Sequence, residues 1–250
     1  MKLTTPLALT ALAAAAATFA TATTEAPAPV AGTVHGKIVF DGKIPETKPI
    51  TIKDDQAKGC CADGSKVDST DRTMVVSKEG AIANVVVTLT VADAKVELPK
   101  EPIVMDQQKC RFEPHIAMVP AGATIAFLNS DSVSHNVHTY SVKNDPLNKT
   151  VAAGSKLEMK AEKAEAIKVA CDIHPWMLSY AYVTDATHWA LTGEDGMFTI
   201  EGVPAGEYKL EIWHESLGKA KGTATVAADG SSEAVEIKMG AKKKGGRRRR

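Results

Sequence analysis

The sequence predicts an all-β protein made of two β-sandwiches, and three observations predict it. Short runs rich in β-branched residues recur along the chain, as at 84–91 (NVVVTLTV). Tight-turn pairs punctuate them: Asp41-Gly42, Asp195-Gly196 and Asp229-Gly230. No segment sustains a helical apolar period for more than a turn or two. Regular short strands between Gly, Pro and Asp turns are the pattern of sandwiches.

Taken in order, residues 35–40 (HGKIVF) form a strand that runs into Asp41-Gly42. Residues 84–91 are almost continuously apolar, as in a strand buried on both faces. Residues 116–119 form a short apolar run stopped by Pro120-Ala121-Gly122. Residues 124–128 alternate, with Ile125 and Phe127 on one side, and 166–170 and 180–184 are further strands. The charged stretch 156–168 reads as a surface loop or short helix. The C-terminal part is the clearest. Strand 197–200 and a Gly-Val-Pro-Ala-Gly turn precede 207–213, where Tyr208, Leu210 and Ile212 oppose Lys209 and Glu211. Strands at 223–226 and 234–238 complete it.

The ends bear on compartment. Lys2, an apolar stretch over 7–20 and the small residues Ala20-Thr21-Ala22 follow the order of a secretory signal over 1–22. The apolar stretch is short and Ala-rich for a membrane span, so an uncleaved anchor is the secondary reading. Residues 23–32 are a Pro/Ala/Thr-rich linker. The expected location is exported, periplasmic or extracellular.

Lysine plus arginine and aspartate plus glutamate both number 30, but the last ten residues (AKKKGGRRRR) hold seven basic groups and no acidic one. Setting these and Lys2 aside leaves 22 basic groups against 30 acidic ones, so the exported body is acidic. The basic tail, 240–250, has nothing apolar to bury and is expected to be disordered. It suits an acidic surface such as anionic lipid or polymer. Nucleic acid is a poor fit for an acidic exported body, and nothing in the sequence fixes an oligomeric state.

The chemistry concentrates in Cys171-Asp172-Ile173-His174-Pro175-Trp176-Met177, which places a thiolate, an imidazole and a thioether within seven residues. A loop turning around one point can aim all three at it, and Pro175 stiffens that loop. Two imidazoles, a thiolate and a weak axial thioether make a blue-copper site. The segment 129–138 (NSDSVSHNVH) offers the second imidazole. His135 is the candidate and His138 its rival, three residues on and facing the other side of a strand. Zinc is a poorer match because methionine is a poor zinc ligand. His115 and His188 read as structural or surface residues, and Trp213-His214-Glu215 as a polar cap. If Cys171 holds metal, three cysteines remain and only two can pair within the chain; the expected bond joins Cys110 to Cys60 or Cys61.

Residues 112–129 (FEPHIAMVPAGATIAFLN), then SVSHNVH, then VACDIHPWM, resemble the cupredoxins over roughly 103–184. The Cys-x2-His-x2-Met spacing is similar to the short ligand loop of the amicyanins. The resemblance implies a Greek-key copper domain at 102–187. It also implies copper bound by His135, Cys171, His174 and Met177, with Asn136 tying the two ligand segments together. It further implies a redox partner protein docking where His174, Pro175 and Trp176 reach the surface, although Trp176 reads equally well as core. The implied function is single-electron transfer between partners, with no enzymatic turnover. The alternatives are a copper-binding or delivery protein, a fragment of a copper oxidase or reductase, and a surface binding module without redox turnover.

A second segment, 192–210 (TGEDGMFTIEGVPAGEYKL), resembles the carboxypeptidase regulatory-like module, a small transthyretin-like sandwich. Strands that open such modules stand at 33–42 and 84–89, before the copper segment. The expectation is one sandwich split into 33–100 and 190–239, with the copper domain inserted between its strands. The whole arrangement resembles exported proteins of the methylamine-utilisation-like group.

Overall fold

The computed structural model describes residues 30–240. The predicted signal over 1–22 and the basic tail from 241 onward lie outside the described residues. Two strands come first, β1 (Gly32–Asp41) and β2 (Val86–Leu89). Nine follow in one block: β3 (Ile103–Gln108), β4 (Arg111–Glu113), β5 (Ile116–Pro120), β6 (Ala123–Asn129), β7 (His135–Tyr140), β8 (Asn148–Val151), β9 (Lys156–Ala161), β10 (Glu165–Ala170) and β11 (Leu178–Thr184). The last five are β12 (His188–Leu191), β13 (Met197–Val203), β14 (Gly206–His214), β15 (Gly218–Val226) and β16 (Val235–Gly240). The protein is all-β. Among the described residues no helix is long and apolar enough to cross a membrane.

The middle block makes one sandwich. Its sheets run β5-β11-β10-β7-β8 and β4-β3-β6-β9. Their inner faces enclose a core that includes Met105, Phe112, Ile125, Phe127, Val137, Ile167 and Val169. The stretch 156–168, expected as loop or short helix, instead holds β9 and the start of β10. In β9 charged residues alternate with inward Leu157, Met159 and Ala161. The charges occupy the outer face of an edge strand, so the period is two and not helical.

The outer strands make the other sandwich. β1 lies between β13, antiparallel, and β16, parallel. β2 lies between β12 and β14, both antiparallel, with β15 beyond. Gly36 allows the tight packing of β1, since a Cβ there would stand 2.1 Å from the Val235 carbonyl oxygen. The second core is wholly apolar, with Val34, Ile38, Val85, Val87, Phe198, Ile200, Leu210 and Ile212 among its members.

Residues 50–67, expected with the second sandwich, do not pack there. Ile50, Ile52, Ala57, Cys61 and Val67 lie on the first core, and only from Met74 does the chain rejoin the second. Trp213-His214-Glu215, expected as a cap, lies at a seam between the two sandwiches. Trp213 packs with Val86 and Ile116 and sits between the rings of Tyr180 and Tyr182, at centroid distances of 5.2 and 5.1 Å. Glu215 bonds His115 there, both side chains being buried.

Candidate metal centre

Strand pairing brings the two ligand segments together. β10 pairs with β11 up to Ala170 opposite Leu178, so residues 171–177 form the loop of a hairpin. Within it, the Cys171 amide donates to the Met177 carbonyl at 3.2 Å and the Met177 amide to the His174 carbonyl at 2.9 Å. β10 also pairs with β7, with Ala170 opposite His138, and this sets the loop beside the start of β7 at His135.

The side chains converge. His135 Nδ1 lies 2.9 Å from His174 Nδ1, and Cys171 Sγ lies 3.8 Å from the same His174 atom. The ligand atoms of His135, Cys171 and His174 all lie within 4.8 Å of one another. His174 is 5% exposed and Met177, on the same loop, 0%. His138 points elsewhere, bonding Asp172 at 3.0 Å and stacking on Tyr140. His188 bonds its neighbour Thr187.

Asp131 orients the first imidazole, a role that spacing alone did not signal. Its Oδ2 lies 2.8 Å from His135 Nε2, and its carboxylate accepts from the Lys109 and Cys110 amides at 2.5 and 2.8 Å. A carboxylate on one ring nitrogen leaves the other aimed at the centre. Asn136 accepts from the Asp172 amide at 2.6 Å and donates to Asn148 at 2.8 Å, and so links β7 to the ligand loop. Trp176 is 6% exposed and donates from Nε1 to the Cys110 carbonyl at 3.0 Å. Pro175 and Ile173 are exposed. The disulfide joins Cys60 to Cys110, and Cys61 is free.

The electrostatics favour a thiolate. Burial alone pushes the Cys171 thiol up, but hydrogen bonding to His135 and His174 outweighs it and brings the pKa to about 6. Burial opposes charge on His135, yet Asp131 and then Cys171 raise its pKa. A buried soft sulfur held near its ionised form beside two imidazoles is a donor set that fits copper.

No family model and no curated protein matches this chain. Among solved structures it is similar to a purple cupredoxin from Nitrosopumilus maritimus, at 23% identity over 34% of this chain and 100% of that one, with a TM-score of 0.29. It is similar to the reduced Cu(I) form of an amicyanin variant, at 21% identity over 39% and 98%, with a TM-score of 0.32. It is also similar to a copper-containing nitrite reductase from Thermus scotoductus SA-01, at 21% identity over 38% of this chain and 25% of the reductase chain, with a TM-score of 0.32. These are likenesses of fold over little more than a third of the chain.

Proposed function

We propose that this chain is an exported type 1 copper protein that carries single electrons between redox partners. The observation that supports it is the buried convergence of His135, Cys171 and His174 on one point, with Met177 on the same loop. Copper held by these four residues supplies a Cu(I)/Cu(II) couple. The chain's own part is to hold the ligands still. Asp131 and Asn136 fix the two segments, and the hairpin hydrogen bonds fix the loop. The surrounding core excludes water. A partner approaches over Pro175 and Ile173, the apolar residues exposed on the loop, and not over the buried His174 and Trp176. The outer sandwich is read as a transthyretin-like module into which the copper domain is inserted. The segment 1–22 is read as the export signal, and the basic tail as a contact for an acidic surface.

Loading the purified protein with Cu(II) tests this reading through visible absorption and electron paramagnetic resonance. An intense blue band that Cys171→Ser abolishes is the expected outcome. A pale complex that the substitution leaves unchanged overturns it. A second reading, a copper-binding protein without redox turnover, draws on the burial of His174. Rapid reversible electron exchange with a small cytochrome separates the two.

A further inference from the structure

The described residues hold two more groups of converging donor atoms, and both include Cys110 of the Cys60–Cys110 bridge. Cys60 Sγ, Cys110 Sγ and a His174 ring nitrogen lie within 4.8 Å of one another. So do Cys110 Sγ, an Asp131 oxygen and a His135 ring nitrogen. The bridge therefore abuts both histidines of the proposed centre.

Its two halves are held very differently. Cys110 sits in a fixed turn, its amide bound by Asp131 and its carbonyl by Trp176. Cys60 belongs to a segment outside every sheet, whose backbone bonds are local turns from Lys53 to Gly64. That segment rests on the core through Gly59, where a Cβ would come within 2.7 Å of Val133, and through Ser132 Oγ donating to the Gly59 carbonyl at 3.1 Å. The Lys109–Asp63 pair beside it is exposed and screened by salt. A groove of about 260 Å³, lined by Cys60, Asp63, Lys109 and Asp131 among others, opens beside Cys60, and both cysteines of the bridge are buried beneath it.

We propose that opening this bridge creates a second metal site, a Cu(I)-receiving site made of Cys60, Cys110 and His174. The proposal rests on the copper reading only in its shared use of His174. The opening needs a dithiol reductant. Because Cys60 is 1% exposed, its segment must first lift from the core; one thiolate of the reductant then attacks Cys60 Sγ, the S–S bond breaks, and Cys110 leaves as a thiolate. The second thiolate of the reductant attacks the mixed disulfide and frees Cys60. Two electrons pass from the dithiol, which becomes a disulfide, to the bridge, which becomes two thiols. Binding of Cu(I) releases the two thiol protons to solvent. Two thiolates and an imidazole are the soft set that suits this ion. The site stands one imidazole away from Cys171.

The full chain carrying Cys171→Ser, which lacks the thiolate of the first centre, is the test material. Cu(I) uptake is read by competition with a chromophoric Cu(I) chelator, after any reductant has been removed. With the bridge intact, no uptake against the chelator is expected. After reduction, one Cu(I) per chain is expected, lost on adding Cys60→Ser and kept on adding Cys61→Ser. Equal uptake before and after reduction, or uptake that survives Cys60→Ser, overturns the proposal. If reduction costs the variant its strand signal in circular dichroism, adding Cu(I) is expected to restore it, because a ligand of the folded state stabilises it. Failure to restore the signal also overturns the proposal. The blue band of the bridge-intact protein tests the carrier reading separately, so either idea can fail while the other stands.

Discussion

Two pairs of histidines are buried in this molecule, and one member of each is shifted in the opposite direction from the other. His135 and His174 meet inside the first sandwich. There a carboxylate and a thiol raise the pKa of His135 against the opposing effect of burial. His115 and His214 lie at the seam. There burial first, and the neighbouring His115 second, push His214 down to about 4. His214 Nδ1 accepts from the Ser216 and Leu217 amides at 3.2 and 3.3 Å, which places its proton on Nε2, an atom with no partner. Burial by itself expels charge, and only added acidic or thiol partners reverse that. His135 is held towards its charged form and His214 towards its neutral form.

The largest expected effect breaks the seam. Glu215→Ala leaves the buried His115 ring nitrogen without its hydrogen-bond partner and is expected to lower folding free energy by about 3 kcal/mol in denaturant titrations. Metal uptake in the folded fraction should not change. A loss below about 1 kcal/mol would mean that the seam does not depend on this contact.

The next effect is acid sensitivity. Burial pushes His214 down to about 4 in the folded protein, from the ordinary histidine value of 6.5. The unfolded chain therefore binds the proton first, and stability falls as the pH drops from 6.5 towards 4. The loss totals on the order of 3 kcal/mol and does not grow below that window through this group. Denaturant midpoints measured across the range should show it, and His214→Gln should flatten it. His135 has the opposite sign, since its raised pKa gives stability that is present at low pH and lost as the pH rises through its folded value. The smallest effect is confined to the metal centre. Asp131→Asn is expected to weaken metal binding about 10–100-fold, read by chelator competition, and to leave the acid limb of His214 intact.

Much of the fold was legible because strands advertise themselves by alternation and their turns by Gly, Asp and Pro. The 207–213 strand showed both signals, and β14 spans it. β9 alternates too, with Lys156, Glu158 and Lys160 opposite Leu157, Met159 and Ala161, but the further charges at Glu162, Lys163 and Glu165 break the pattern and make the stretch read as a loop or short helix. The hairpin loop at 171–177 was legible because its ligands are neighbours in sequence. Asp131 was not, since a lone acidic residue in a polar loop carries no spacing signal. The pairing of His115 with Glu215, and the crossing of residues 50–67 to the other core, depend on contacts far apart in the chain. No local pattern encodes such contacts.

The position of β1 has a consequence in time. Its neighbours are β13 and β16, and Ser232 Oγ donates to the Thr33 carbonyl across 199 residues of chain. A chain made from its N-terminus therefore completes the nine-strand block first, while β1 has its bonds to residues 80–82 but neither of its sheet neighbours. The first described strand is among the last to be satisfied. Contacts this distant in sequence close slowly because the entropy of the intervening loop is lost before they form. The inserted block shortens that wait in space, since β2 and β12 lie side by side with Leu89 opposite His188. A finished first sandwich thus acts as a clasp that delivers the late strands to the early one.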